Sequence, residues 1–77
     1  KLSVEQIIKI LDAEIDINKQ MELDAFYAHI HAKDSGDDTE AARQFALQMD
    51  YRERIDALCR LRNHIVLAEE AKIGAAV

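Results

Sequence analysis

The sequence predicts an all-α protein, an antiparallel two-helix hairpin that dimerises into a four-helix bundle. Three observations support this fold class. Proline is absent and glycine occurs only at positions 36 and 74, so long helices can run without interruption. One cluster of turn-forming residues, Lys33 to Thr39, divides the chain near its middle. On each side of that cluster, apolar residues recur every three or four positions, the spacing that places them on one stripe of a helix.

The first helix is expected over about residues 3–32. Ser3 and Gln6 have the spacing of a capping box, in which each side chain bonds to the other residue's backbone N–H where a helix begins. The stripe of this helix consists of Val4, Ile8, Leu11, Ile15, Asn18, Glu22, Ala25 and His29. Most of these residues are apolar, which predicts that the stripe packs against a second helix.

The turn is expected over residues 33–38 and the second helix over about residues 38–73. Gly36 can take the left-handed conformation that ends a helix, and Asp37 can cap the next one. Gly74 is expected to stop the second helix. The stripe of the second helix consists of Leu47, Tyr51, Arg54, Leu58, Leu61, Ile65, Ala68 and Lys72.

A short turn makes two long helices antiparallel neighbours. With the turn centred near residue 35 or 36, paired positions add to about 71. Ile8 then lies near Ile65, and Ile15 lies near Leu58. Because apolar residues meet apolar residues in this pairing, the two stripes are expected to form the contact between the helices.

The chain is small for a self-sufficient core. Chains below roughly 70–80 residues add a disulfide, a metal or a partner subunit, and the one cysteine, Cys59, cannot form an internal disulfide. Helix 1 also carries more apolar surface than one neighbouring helix can cover. The residues expected at an interface are Ile7, Ile10, Ile17, Met21 and Ala28, with Leu23, Phe26 and Ile30 on the opposite flank. We therefore expect a homodimer, with a heterologous protein as the alternative partner.

Asn18, Glu22 and Arg54 are expected to form a buried polar cluster between the helices. In the expected pairing Asn18 falls opposite Arg54, with Glu22 beside it. An arginine fork can bind a carboxylate, and an asparagine can fill the remaining hydrogen-bonding positions. Such groups can fix register or partner choice. A binding or catalytic pocket is the alternative interpretation of the same residues.

Carboxylates in a helical bundle can also bind metal ions. Ferritin-like di-iron proteins combine a Glu from one helix with Glu-x-x-His from another, whereas Glu53-x-x-Asp56 lacks that histidine. The same four residues resemble one half of the paired acidic motif with which all-α nucleotide pyrophosphatases hold magnesium, and helix 1 has no counterpart of the other half. The candidates for a metal site are Glu14, Glu22 and His29, with an acid from helix 2. We predict no cofactor, metal or catalytic residue.

The net charge and the hydropathy pattern limit which partners and which cellular location are expected. The formal net charge of −5 disfavours nucleic acid as a partner. No apolar run approaches the ~20 residues that span a bilayer, and a lone cysteine is typical of a reducing compartment, so a cytoplasmic location is expected. We expect a small non-enzymatic module for protein–protein interaction or regulation that acts as a homodimer.

Two other functions remain as alternatives. One is a small helical enzyme that binds a metal through carboxylates. The other is an acidic inhibitor of a nucleic-acid-binding protein, which would capture a basic partner through charge. The acidic surface for that inhibitor would consist of Asp34, Asp37, Asp38, Glu40 and Asp50.

Overall fold

Two helices account for nearly the whole chain. A computed structural model describes residues 1–76, with α1 at Val4–Asp34 and α2 at Asp38–Ala76. These residues contain no strand, so the all-helical fold class is confirmed. The molecule is a rod of 62 × 18 × 15 Å. Within the described residues, neither helix is long and apolar enough to pass through a membrane.

α1 begins at the capping box expected from the sequence. The Oγ of Ser3 accepts a hydrogen bond from the backbone N–H of Gln6 at 3.1 Å, and the Gln6 side chain accepts one from the Ser3 N–H at 2.8 Å. Both N–H groups lack a partner inside the helix, so the two bonds stabilise its first turn. Glu5 in the first turn and Lys33 in the last complement the helix dipole.

Gly36 reverses the chain between the helices. Its φ of 74° lies in the left-handed region that favours glycine. The Gly36 N–H donates to the carbonyl of Lys33 at 3.1 Å, and the Asp37 N–H donates to the carbonyl of Ala32 at 2.9 Å. These two bonds form the Schellman pattern that ends a helix. Asp37 then caps α2 by accepting a bond from the Glu40 N–H at 3.1 Å.

Contacts between the helices show that they run in opposite directions. Asp12 accepts a hydrogen bond from Arg62, and Glu22 accepts one from Arg52, so position n of α1 lies level with position 74 − n of α2. The pairing expected from the sequence, with positions adding to about 71, is therefore displaced by three residues, or about 4.5 Å of helix.

The stripe expected on α1 is the one that packs against α2. All of its members are buried or half-buried. Ile15 and Asn18 are each 6% exposed and Ala25 is 5% exposed. The seven-residue pattern of α1 therefore identifies the side of that helix that the fold covers.

The stripe expected on α2 lies at the edge of the contact, with half of its members half-buried and the other half exposed. Ile55 is 9% exposed and packs inside, whereas Leu61 is 48% exposed and the neighbouring Arg54 is also exposed. Adjacent helical residues point about 100° apart, so an error of one residue turns the helix by more than a quarter of its circumference. The expected stripe followed the largest apolar side chains, but near the turn small residues such as Ala41, which is 2% exposed, form the contact.

α2 does not end at Gly74. It continues to Ala76, so the end expected at Ile73 is three residues short. Among the described residues only Gly36 has a positive φ, and Gly74 keeps a right-handed conformation. Alanine, a strong helix former, occupies the next two positions and favours continuation of the helix.

Alanine at the two glycines should change stability in opposite directions. Gly36→Ala is expected to lower the free energy of unfolding by about 1 kcal/mol, because a residue with a Cβ atom disfavours positive φ. Gly74→Ala is expected to raise it by about 0.5 kcal/mol, because alanine stabilises a helix and restricts the unfolded chain. An added Cβ meets nothing within 4 Å at either position. Urea denaturation followed by circular dichroism measures both changes, and changes of the same sign would contradict the two backbone conformations.

Candidate functional site

The helix pair has two long sides that differ in chemistry. The groove on one side, which we call the ion-pair side, is lined by Asp12, Ile15, Asp16, Lys19, Cys59, Arg62 and Asn63. The groove on the opposite side is lined by Met21, Asp24, Ala25, Ala28, Gln44, Leu47 and Tyr51. Charged groups predominate along the first groove and apolar groups along the second.

Two ion pairs join the helices on the ion-pair side. Arg62 lies 2.5 Å from Asp12, and this hydrogen bond raises the pKa of Arg62. Arg52 lies 2.9 Å from Glu22, whose side chain is only 18% exposed. Ion pairs that water reaches contribute at most about 1 kcal/mol each. Their main effect is therefore on the register of the two helices.

The buried cluster expected from Asn18, Glu22 and Arg54 does not form. Arg54 is exposed, because α2 turns Ile55 toward α1 instead, and Glu22 binds Arg52. Asn18 is buried, and its Nδ2 donates to the backbone carbonyl of Glu14 at 2.8 Å. The asparagine is thus bonded within its own helix rather than to α2.

The three candidates for a metal site do not come together. Glu14, Glu22 and His29 are separated by about 10–12 Å along α1. Glu22 binds Arg52, and Nδ1 of His29 donates to the backbone carbonyl of Ala41 at 2.9 Å. Among the described residues there is no group of three or more His, Cys, Asp or Glu side chains placed to hold a metal ion.

Two of the acidic residues near the turn already have partners within the protein. Asp37 caps α2, and Glu40 binds Arg43 at 2.6 Å and Gln44 at 2.8 Å. The hydrogen bond from Arg43, with help from Gln44, lowers the pKa of Glu40 to about 2. These two carboxylates stabilise the first turns of α2, so the acidic surface there has a structural role.

The apolar groove continues along both helices as a single surface. Steps of seven residues extend it on α1 from Met21 and Asp24, and on α2 from Leu47 and Tyr51. We call this surface the apolar face, and it consists of Ile7, Ile10, Ile17, Met21, Ala28, Leu47, Tyr51, Leu58, Leu61 and Ile65. The face therefore runs along most of the length over which the helices are in contact.

Several large side chains of the apolar face are exposed in the single chain. Ile17 is 57% exposed, Ile10 54%, Leu61 48% and Met21 42%. The α1 half of the face consists of the residues that the sequence indicates as an interface. The α2 half was assigned to the contact between the helices instead. Leu61 is exposed and the other four residues are half-buried, so the one-residue rotation of α2 places this half at the edge of the contact.

A smaller apolar patch lies near the turn on the ion-pair side. This turn-end patch consists of Leu23, Phe26, Ile30 and Phe45, which are 43%, 39%, 39% and 48% exposed. The ring of His29 packs against Phe45 with centroids 5.6 Å apart. The patch is separate from the apolar face because α1 and α2 lie between them.

A pair of arginines two residues apart tests which side of α2 faces α1. In a double-mutant cycle, Glu22→Gln with Arg52→Gln should show a coupling of about 0.5–1 kcal/mol, as expected for a partly exposed ion pair. Glu22→Gln with Arg54→Gln is the matched control and should show none. Urea denaturation at one protein concentration provides the free energies. A stronger coupling to Arg54 than to Arg52 would favour the rotation of α2 expected from the sequence, in which Arg54 rather than Ile55 faces α1.

Comparisons of the chain with models of protein families, with curated proteins and with solved structures find no match. A function is therefore inferred from the chemistry of the two sides of the helix pair.

Proposed function

We propose that the protein is a non-enzymatic protein–protein interaction module that acts as a homodimer. Two copies join through their apolar faces into a four-helix bundle. The observation that carries this proposal is the apolar face, whose central residue Ile17 is 57% exposed. Contiguous apolar surface on a small protein usually marks an interaction site. A second copy offers a face of the same length and chemistry, and two-fold dimers are the commonest assemblies.

The surface area of the chain supports the same proposal. The accessible surface is 5818 Å², whereas a compact monomer of 8.8 kDa exposes about 4,800 Å². The excess of about 1,000 Å² is close to the ~800 Å² that each partner buries in a standard interface. One interface of ordinary size would therefore bring the exposed surface of each chain to the level of a compact protein.

The ion-pair side is less suited to self-association. Burial there would remove water from the pairs that join Asp12 to Arg62 and Glu22 to Arg52, and the desolvation of ion pairs is costly. In the proposed bundle this side stays in water. The turn-end patch also stays outside, so the homodimer displays it twice as a surface for a heterologous protein.

A charge placed on the apolar face should dissociate the dimer. Ile17→Asp is expected to turn the protein into a monomer in sedimentation experiments, because an unpaired carboxylate would be buried at the interface. Leu67→Asp is the matched control, since Leu67 is 62% exposed and lies on the outer side of α2. The control should remain a dimer.

Two outcomes of that experiment would contradict the proposal. One is an unmodified protein that sediments as a monomer at every concentration tested. The other is an Ile17→Asp variant that remains as dimeric as the control. If Ile17→Asp unfolds when it dissociates, the melting temperature of the unmodified protein should rise with concentration, because folding and association are then linked.

A further inference from the structure

We propose that the two copies lie with their turns at opposite ends of the bundle. Two equivalent ion pairs, each between Glu14 of one protomer and Arg54 of the partner subunit, hold them in this orientation. The proposal rests on the homodimer proposed above and adds its geometry. It follows from the position of two charged residues on an otherwise apolar surface.

Glu14 is the only charged residue in one seven-residue row of α1. The other positions of that row are Ile7, Met21 and Ala28, all on the apolar face. Glu14 is exposed, and within the described residues its carboxylate takes part in no ion pair. Among the described residues its carboxylate accepts one long hydrogen bond, from Nδ2 of Asn18 at 3.5 Å. A carboxylate at this place would be covered by a second copy.

Arg54 occupies the corresponding place on α2. It interrupts a row that contains Leu47 and Leu61, and it is exposed without an ion pair in the described part of the chain. Its guanidinium lies 5.3 Å from the centroid of the Tyr51 ring. The middle of the apolar face therefore carries one negative and one positive group.

These two groups do not meet within one protomer. Given the register of the helices, Arg54 lies level with position 20 of α1, which is six residues from Glu14. Six helical residues correspond to about 9 Å along the axis. No ion pair joins them within the described residues of the single chain.

A two-fold axis perpendicular to the helices at the level of position 17 removes this offset. It brings Glu14 level with Arg54 of the partner subunit, in one layer of the bundle. Symmetry then creates the second pair. Charge-assisted hydrogen bonds between a guanidinium and a carboxylate are strong when water is partly excluded.

The middle of the apolar face lies at nearly the same level along the helices as this two-fold axis. On α1 it runs from Ile7 to Ala28, and on α2 from Leu47 to Ile65, which lie level with positions 27 and 9 of α1. Both spans are centred near position 17 or 18. The axis that pairs the charges is thus the one that overlaps the two apolar faces over their full length.

The other two-fold arrangement, with both turns at the same end, leaves the charges without partners. Residues at equal levels then meet, so Glu14 stays six positions from Arg54 of the partner subunit. Four charged groups would lie among apolar side chains, where an unpaired charge is costly. Asp24, which lines the groove with Met21 and Leu47, and Lys72, near the end of α2, are both exposed in the single chain.

Charge reversal tests the pairing. Glu14→Arg or Arg54→Glu alone should raise the Kd of the dimer about tenfold or more, because like charges then meet at both symmetric sites. The double variant should return the Kd to within about threefold of the unmodified protein. The matched control is the same set of changes at Glu53 and Arg60, which are exposed and outside the apolar face. A double variant as weak as the two single changes combined would overturn the pairing.

Disulfide formation tests the orientation. In a Cys59→Ala background, Ile17→Cys should cross-link readily, because the axis sets the two copies of position 17 beside each other. Ile10→Cys is the matched control, with Ile10 54% and Ile17 57% exposed. Its two copies would be about 21 Å apart along the axis, far beyond the reach of a disulfide.

The outcomes separate this inference from the homodimer itself. A dimer that cross-links at position 17 but not at position 10 supports the arrangement with the turns at opposite ends of the bundle. A dimer that cross-links at neither position shows turns at the same end, because α1 then packs against α2 of the partner subunit and the two α1 helices lie on a diagonal of the bundle. That result overturns the orientation, while the homodimer stands. An unmodified protein without dimers overturns both proposals.

Discussion

A helix that packs against a single neighbour can bury only one stripe of its surface, and this geometric limit governs the rest of the structure. The apolar residues buried between α1 and α2 are few and mostly small, namely Ile15, Ala25, Ala32, Ala41 and Ile55. Among the described residues, no large side chain is completely enclosed. A core of this size contributes little stability, and larger apolar residues remain outside it.

The two sides of the helix pair on which larger apolar residues remain exposed differ in charge. On the ion-pair side, bonds from Arg52 and Arg62 cross to α1. These bonds hold the helices in register, and their charged groups remain partly exposed to water. On the apolar face no ion pair joins the helices in the described part of the chain, so a second copy at this side would not displace water from such a pair. The side that stabilises the single chain is therefore different from the side that we propose for assembly.

Polar residues within the seven-residue rows also fall into two kinds. Asn18 faces α2 and is satisfied by a carbonyl of its own helix, so it imposes no requirement on a neighbour. Glu14 and Arg54 are exposed, and within the described residues neither takes part in an ion pair. Polar groups at such positions reduce stability but restrict how helices assemble. Under this interpretation the outward pair, rather than the buried asparagine, determines the orientation of the bundle.

By itself, the sequence determined the features that depend on neighbouring residues. The capping box of Ser3 and Gln6, the left-handed Gly36 and the cap at Asp37 involve contacts within a few positions, as does the repeat that marks the inner side of α1. The sequence also indicated the α1 half of the apolar face. The side of α2 that packs inward was decided only by tertiary structure. Apolar residues cover so much of that helix that either Arg54 or Ile55 could lie on the contact stripe, and the choice depends on α1, which lies far away in sequence.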